Sequence, residues 1–471
     1  MLKKILCFCL MLCLGTVLCA CGNKDGTASV NSSDNSNSAS VDASSSGATV
    51  KEQSNADAIL TVEVTKGNIT KFKSNRPYDK SKEDISLILV VGQSNFTSSV
   101  GYSCEYGALV SGKTTVEPEA PILPKEGTVY SSHSTSSITS LTADRDVSTL
   151  CDISKKSNTM GGVTPSFGTE WHNLTGTKVV FVQAAVGAVG VHEWVPNPED
   201  YYCTCKNNGG GVLYSRAVFD FRASYEALSK EYNIVYTGYI WNQGEHENDE
   251  YASAELGSTV CSDATYYDAY KSMHDGFMNE LDLDFGGISV VRQHGGTTAT
   301  DSKKYTVARA AQYKLCNDID NLYMLSTISE TTSPDMMDQS NTIHYSQMIF
   351  NLMGYEMAQN LYSCLGLGTT NEYSGIEMYS SLGTLVCSFD KDGKLLETVA
   401  GDDGLLRKAN FTDHIITKVT TLGTNHTLNY KVMVGGKDVT ESCIDEFGKF
   451  DWTTLSQQFG VKTVAVNCVN K

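Results

Sequence analysis

At 471 residues the chain has room for two or three domains of ordinary size and a large core, so it is not one small module. Its formal net charge of −18, with no basic patch to offset it, excludes a nucleic-acid partner, because a phosphate backbone would be repelled.

The chain opens with MLKKILCFCLMLCLGTVLCAC, which places charge at Lys3 and Lys4, then an apolar stretch, then small residues before Cys21. This order reads as a secretory signal. The alternative is a single transmembrane anchor, for which the apolar stretch is short. The ending LCAC resembles the lipobox of a bacterial lipoprotein, and that resemblance implies that Cys21 becomes the lipidated first residue of a mature chain held at the cell membrane, with its head outside the cytoplasm. Residues 22–57 are rich in Ser, Asn, Asp and Ala with almost nothing to bury, and are expected to form a flexible tether. Of the 15 cysteines, Cys7, Cys9, Cys13 and Cys19 leave with the signal, and some of those beyond Cys21 could pair in an exported protein. Cys203 and Cys205 have no second pair and no histidine at ligand spacing, so no metal is expected there.

Beyond the tether, residues 58–368 alternate apolar runs with amphipathic patterns. In SLILVVGQSNFTSSVG, from Ser86 to Gly101, the uncharged run Leu87 to Gly92 suits a strand buried on both faces, and Ser94 follows at its carboxyl end. Ser94 could cap a following helix or do chemistry. KVVFVQAAVG, IVYTGYIWNQG and GGISVVRQHGG read as three more buried strands. Between and after them, YSRAVFDFRASYEALSKEY, YYDAYKSMHDGFMNELDLD and YSQMIFNLMGYEMAQNLYSCLG carry apolar residues three and four apart, the mark of helices. Strand, helix, strand means a parallel sheet flanked by helices, an α/β fold. After about Gly368 the pattern becomes short alternating runs separated by DKDG, GDDG and GGKD turns. Residues 369–471 are therefore expected to form a separate small all-β domain, an immunoglobulin-like sandwich.

A doubly wound sheet brings its strand ends together, and here they carry polar residues: Ser94, the Gly187 turn of QAAVGAVGVHEW, and Gln243 to Glu245 of WNQGEHEND. Downstream, SNTIHYSQ places His344 just before the last helix. A serine hydroxyl needs a base, which a histidine supplies, and the oxyanion formed on an attacked carbonyl needs donors, which backbone N–H groups and a side-chain amide supply. His192 and His246 adjoin these motifs but suit surface or packing roles, and Trp194 and Trp241 suit the core better than a sugar platform.

In this order GQSN, the glycine turn, WNQGE and the late histidine resemble the SGNH hydrolases, and within them the sialate O-acetylesterase-like carbohydrate esterases. The resemblance spans about Ile85 to Asn360. It implies a parallel-sheet, flavodoxin-like domain with Ser94 as nucleophile, His344 as base, and an oxyanion hole at Ser94, Gly187 and Gln243. The implied activity is removal of O-acetyl groups from a glycan, such as sialic acid or a plant polysaccharide, through an acyl-enzyme and without metal or organic cofactor. Two positions depart from the family pattern. Asn341 stands where an aspartate often precedes the histidine, and Ala188 and Val189 follow the turn glycine. Glu245 is the expected substitute for the acid, with Asp335 and Asp338 also near His344 in sequence. The departures leave two alternatives: a catalytically weakened glycan-binding or scaffold lipoprotein, or an esterase of non-sugar esters.

Overall fold

The computed structural model describes residues 56–67, 69–97, 122–131, 151–154, 162–187, 189–196, 211–248, 262–291, 308–332, 344–368, 375–380, 385–398, 405–407, 414–419 and 426–471. The signal with Cys21, the expected tether up to residue 55, Cys203 and Cys205 lie outside them, whereas Asp57, at the end expected for the tether, is bonded to Thr463 Oγ1 and Lys462 N.

Strand β1 (Ala58–Lys66) comes first, followed by β2 (Asp84–Gly92), β3 (Val129–Ser131), β4 (Cys151–Asp152), β5 (Lys178–Gln183), β6 (Asn233–Asn242), β7 (Phe285–Ser289) and β8 (Leu322–Ser326). Strands β2 to β8 form one sheet in the order β4-β3-β5-β2-β6-β7-β8, parallel except for the β3–β4 pair. Five helices cover it: α1 (Thr164–Thr175), α2 (Val212–Leu228), α3 (Asp263–Leu281), α4 (Arg309–Asp318) and α5 (Gln347–Cys364).

The central strand shows why the sequence folds this way. Successive side chains of a strand point to opposite faces. Ile85, Leu87, Leu89 and Val91 enter one core with α2, α3 and α4, while Ile88 and Val90 enter the other with α1 and α5. Ser86, the polar residue on the second face, is buried but satisfied, since it meets Thr177 Oγ1 at 2.7 Å and accepts from Trp171 Nε1 at 2.8 Å. The buried run read from the sequence as a two-faced strand is thus the spine of a three-layer α/β domain. The helices α2, α3 and α5 fall within the three amphipathic patterns, give or take a turn. Strands β3, β4 and β8 and helices α1 and α4 were not anticipated.

The carboxyl-terminal region adds β9 (Gly375–Ser380), β10 (Leu385–Asp390), β11 (Leu395–Thr398), β12 (Leu406–Arg407), β13 (His414–Val419), β14 (His426–Val434), β15 (Lys437–Asp438), β16 (Phe450–Asp451) and β17 (Thr463–Asn470). They form two five-stranded sheets, ordered β12-β17-β1-β14-β15 and β11-β10-β9-β13-β16, that share one apolar core. This corrects the expected boundary. Strand β1 belongs to this module, antiparallel to β14 and parallel to β17, and its Ala58, Leu60, Val62 and Val64 are buried in the module's core. The module is therefore built from both ends of the chain, with the esterase-like domain inserted between β1 and β9. It is also not purely β, since α6 (Thr440–Cys443) and α7 (Trp452–Phe459) lie within it.

The segment from β1 to β2 is tied to the α/β domain. Phe72 N donates to Leu365 O at 2.8 Å, and the Arg76 guanidinium grips both carboxylate oxygens of Asp284 at 2.8 and 2.9 Å. The module meets this domain across a cleft of about 880 Å³, lined by Asp318, Ile319 and Leu322 on one side and His426, Tyr430 and Phe447 on the other. Those domain residues lie at the end of α4 and the start of β8, which is the amino edge of the parallel sheet. Cys151, Cys316, Cys387 and Cys443 are free thiols. Burial pushes Cys364 and Cys387 up to about 12, which leaves them protonated and unreactive.

Candidate active site

Strands β5 and β6 flank β2, and the chain crosses from one half of the sheet to the other between β5 and β6. Ligands of open α/β sheets bind at the carboxyl edge beside such a switch point. Backbone bonds lock the three strand ends together there: Val186 N donates to Gly92 O at 3.1 Å and Gln93 N donates to Asn242 O at 3.0 Å. Gly92 has φ +116°, and a Cβ on it would stand 2.2 Å from Asn242 O. Only glycine allows β2 to leave the sheet so close to β6.

The chain then enters a short 3-10 turn, Ser94–Phe96, closed by Phe96 N to Gln93 O at 2.8 Å and by Thr97 N and Oγ1 to Ser94 O. From Ile85 to Thr97, Ser94 alone is not buried. The cap position of this turn belongs to Gln93, which makes no side-chain cap bond, and Ser94 is the first residue of the turn itself. A serine left partly accessible by an otherwise buried turn suits a nucleophile.

The other expected residues converge to different degrees. Gly187 passes close beside the serine, since a Cβ on it would sit 3.7 Å from Ser94 Cβ. His344 is buried at the entrance to α5, and the following residue, Tyr345, donates its N–H to Asn95 Oδ1 at 3.2 Å. Glu245 is buried after β6 and its Oε1 accepts from Asn95 Nδ2 at 2.7 Å. Asn95 thus joins the segments carrying Ser94, His344 and Glu245. Gln243 behaves differently from the expectation. It is fully buried, and its Nε2 donates to Val189 O at 2.9 Å and to Glu247 Oε2 at 2.5 Å. Its two N–H donors have two acceptors, so the amide laces the loop after β5 to the turn after β6 and is not presented to Ser94. Ala188, Asp335, Asp338 and Asn341 lie outside the described residues.

Two residues escaped the sequence reading. Asn95 stands inside GQSN, where an amide next to the candidate nucleophile was the available signal. Glu247 takes Val191 N at 2.5 Å as well as Gln243, and so fixes the glycine loop. The tryptophans follow expectation, since Trp194 and Trp241 are fully buried and meet edge to face at 5.6 Å. His274 is a core histidine, held by Tyr239 and Asn321, and burial lowers its pKa. Among the described residues no cluster of three or more His, Cys, Asp or Glu could hold a metal ion.

Residues 84–363, well over half of the chain, match the family described as carbohydrate esterase, sialic acid-specific acetylesterase. The chain belongs to this family. The match runs from the first residue of β2 into α5, so the α/β domain is the esterase and the two-sheet module lies outside the matched region. The protein is a carbohydrate acetylesterase of SGNH type, a hydrolase of carboxylic esters. No curated protein matches the chain. Among solved structures the esterase is similar to XAC1771, a carbohydrate acetylesterase from Xanthomonas citri, at 13% identity and a TM-score of 0.41, over 75% of this chain and 73% of that one. It is also similar to a protein from Arabidopsis thaliana at 16% identity and a TM-score of 0.37, over 60% and 98% of the two chains. A third likeness is to NanS, at 14% identity and a TM-score of 0.36, over 61% and 98%.

Proposed function

We propose that the protein is an exported, lipid-anchored serine esterase that removes O-acetyl groups from a glycan through an acetyl-enzyme. The observation that carries this reading is that Ser94 alone is left partly accessible in a buried turn, with Gly187 close beside it and the His344 segment bonded to the next residue. Ser94 Oγ attacks the acetyl carbonyl carbon while His344 takes the hydroxyl proton. The ester bond to the sugar breaks as His344 returns that proton to the leaving oxygen. Water, deprotonated by His344, then attacks the acetyl-enzyme, and acetate leaves with Ser94 restored. The Ser94 and Gly187 N–H groups are the donors for the oxyanion. Among the described residues neither donates to any other acceptor, as expected for the first N–H of a helical turn and for a loop crossing it.

The substrate class follows from the family description: an O-acetylated glycan, with acetylated sialic acid first and plant polysaccharide second. Export and anchoring rest on the signal and on Cys21 in its lipobox, and the tether of residues 22–55 would let the head reach glycans beyond the membrane surface. The test is acetate release from a mixed set of acetylated glycans by the wild type and Ser94→Ala. Loss of at least about 10⁴-fold in kcat with the fold intact is expected for removal of the nucleophile. Wild-type turnover in the variant would remove Ser94 from that role.

A further inference from the structure

Asn95 is buried and uses both ends of its amide, Nδ2 to Glu245 Oε1 at 2.7 Å and Oδ1 from Tyr345 N at 3.2 Å. Its partners are 150 and 250 residues away along the chain. One lies on the turn after β6, and the other is the residue following His344. Asn95 itself follows Ser94. One side chain is therefore joined to the segments of the nucleophile, the base and the buried carboxylate.

The chemistry of the three groups makes the arrangement directional. An amide can turn over and exchange its oxygen for its nitrogen. A carboxylate is an acceptor only, and the Tyr345 N–H is a donor only. With Nδ2 toward Glu245 and Oδ1 toward Tyr345, both contacts are attractive, and the turned-over amide would make both repulsive. The carboxylate thus selects the orientation in which Asn95 holds the Tyr345 backbone, and through it His344, against the Ser94 turn. Hydrogen bonds to a charged acceptor are also among the stronger ones.

We propose that Asn95 is a positioning residue of the esterase, setting His344 against Ser94, and that Glu245 acts through Asn95 rather than on the imidazole. This rests on the reading of Ser94 and His344 as nucleophile and base. Glu245 then takes a different role from the triad acid expected from the sequence.

The full-length protein and the variants Asn95→Asp, Glu245→Gln, Asn95→Asp/Glu245→Gln and Ser94→Ala are to be compared for kcat and KM on an acetylated sugar, with circular dichroism confirming the fold. In Asn95→Asp two carboxylates face each other with no donor between them. We expect kcat to fall about 10²-fold, as for a misplacement near 1 Å, with KM little changed. Glu245→Gln keeps an acceptor oxygen for Nδ2 and should lose less than about 10-fold, whereas removal of a triad acid costs about 10⁴-fold. In the double variant the introduced amide donates to the introduced carboxylate, whose second oxygen accepts from Tyr345, so activity should return to within about 10-fold of the wild type. A double variant no better than Asn95→Asp, or a Glu245→Gln loss near 10⁴-fold, overturns the proposal. Activity retained by Ser94→Ala would instead overturn the reading of the site on which it rests.

Discussion

Replacing Gly92 by alanine tests the link between the path of β2 and the chemistry at Ser94. Gly92 has φ +116°, a conformation that an L-residue adopts only at a cost of about 1–3 kcal/mol. The added Cβ would stand 2.2 Å from Asn242 O and 2.9 Å from Asn242 C and N. These are backbone atoms of β6 and cannot swing aside, because Asn242 O already holds Gln93 N. Relief requires the two strand ends to part by roughly 1 Å, and overpacking of this kind costs about 1–3 kcal/mol more. The expected destabilisation is therefore about 2–6 kcal/mol, the sum of the two effects. Ser94 lies two residues on, so the same displacement moves its hydroxyl relative to His344 and should lower kcat about 10²-fold in the folded fraction. Thermal denaturation followed by circular dichroism gives the first quantity, and acetate release gives the second. Gly176→Ala is the internal control. That glycine has φ +75° at the end of α1 with nothing within 4 Å of the added Cβ, so it should lose only about 1 kcal/mol and leave kcat unchanged. A Gly92→Ala protein with the melting temperature and turnover of the wild type would refute the argument that the glycine sets the serine's position.

Arg76→Ala should destabilise the protein by about 3–5 kcal/mol in denaturant titration, because Arg76 and Asp284 are 8% and 11% exposed in their side chains and removal of one partner strands the other; a midpoint within error of the wild type would show that the pair contributes nothing. A chain of residues 69–368 should be soluble and should hydrolyse a small aryl acetate at the wild-type rate, since the module's cleft lies at the sheet edge opposite Ser94. A chain of residues 58–368 should self-associate instead, because it keeps β1 without the core that buries Ala58, Leu60, Val62 and Val64. Monodisperse behaviour of the longer chain in size-exclusion chromatography would contradict the shared-module architecture. Cys21→Ser should abolish incorporation of labelled fatty acid in an expressing bacterial cell and release the esterase from the membrane fraction, and continued labelling would remove Cys21 as the lipidation site.

The α/β character of the esterase was legible locally. Leu87 to Gly92 had to be buried on both faces because an uncharged, branched run has no side to offer to water, and β2 enters both cores. Helices α2, α3 and α5 declared themselves by apolar spacing, a property of neighbours along one chain. The ordered motifs at Ser94, Gly187, Trp241 to Glu245 and His344 likewise pointed to the carbohydrate esterase family that residues 84–363 match, since such motifs are residue types before they are positions. Partnership was decided only in three dimensions. Strand β1 alternates as a half-buried strand should, yet nothing in its nine residues says that β14 and β17, across the whole esterase domain, are its neighbours. The amide of Gln243 was expected at the oxyanion, but which acceptors receive its N–H groups depends on where the β5 loop and Glu247 come to rest. Asn95 is the sharpest case. Its identity was plain beside Ser94, while its function depends on a carboxylate 150 residues away and a backbone N–H 250 residues away, because a hydrogen bond is a contact at about 3 Å in space and carries no trace in the sequence between.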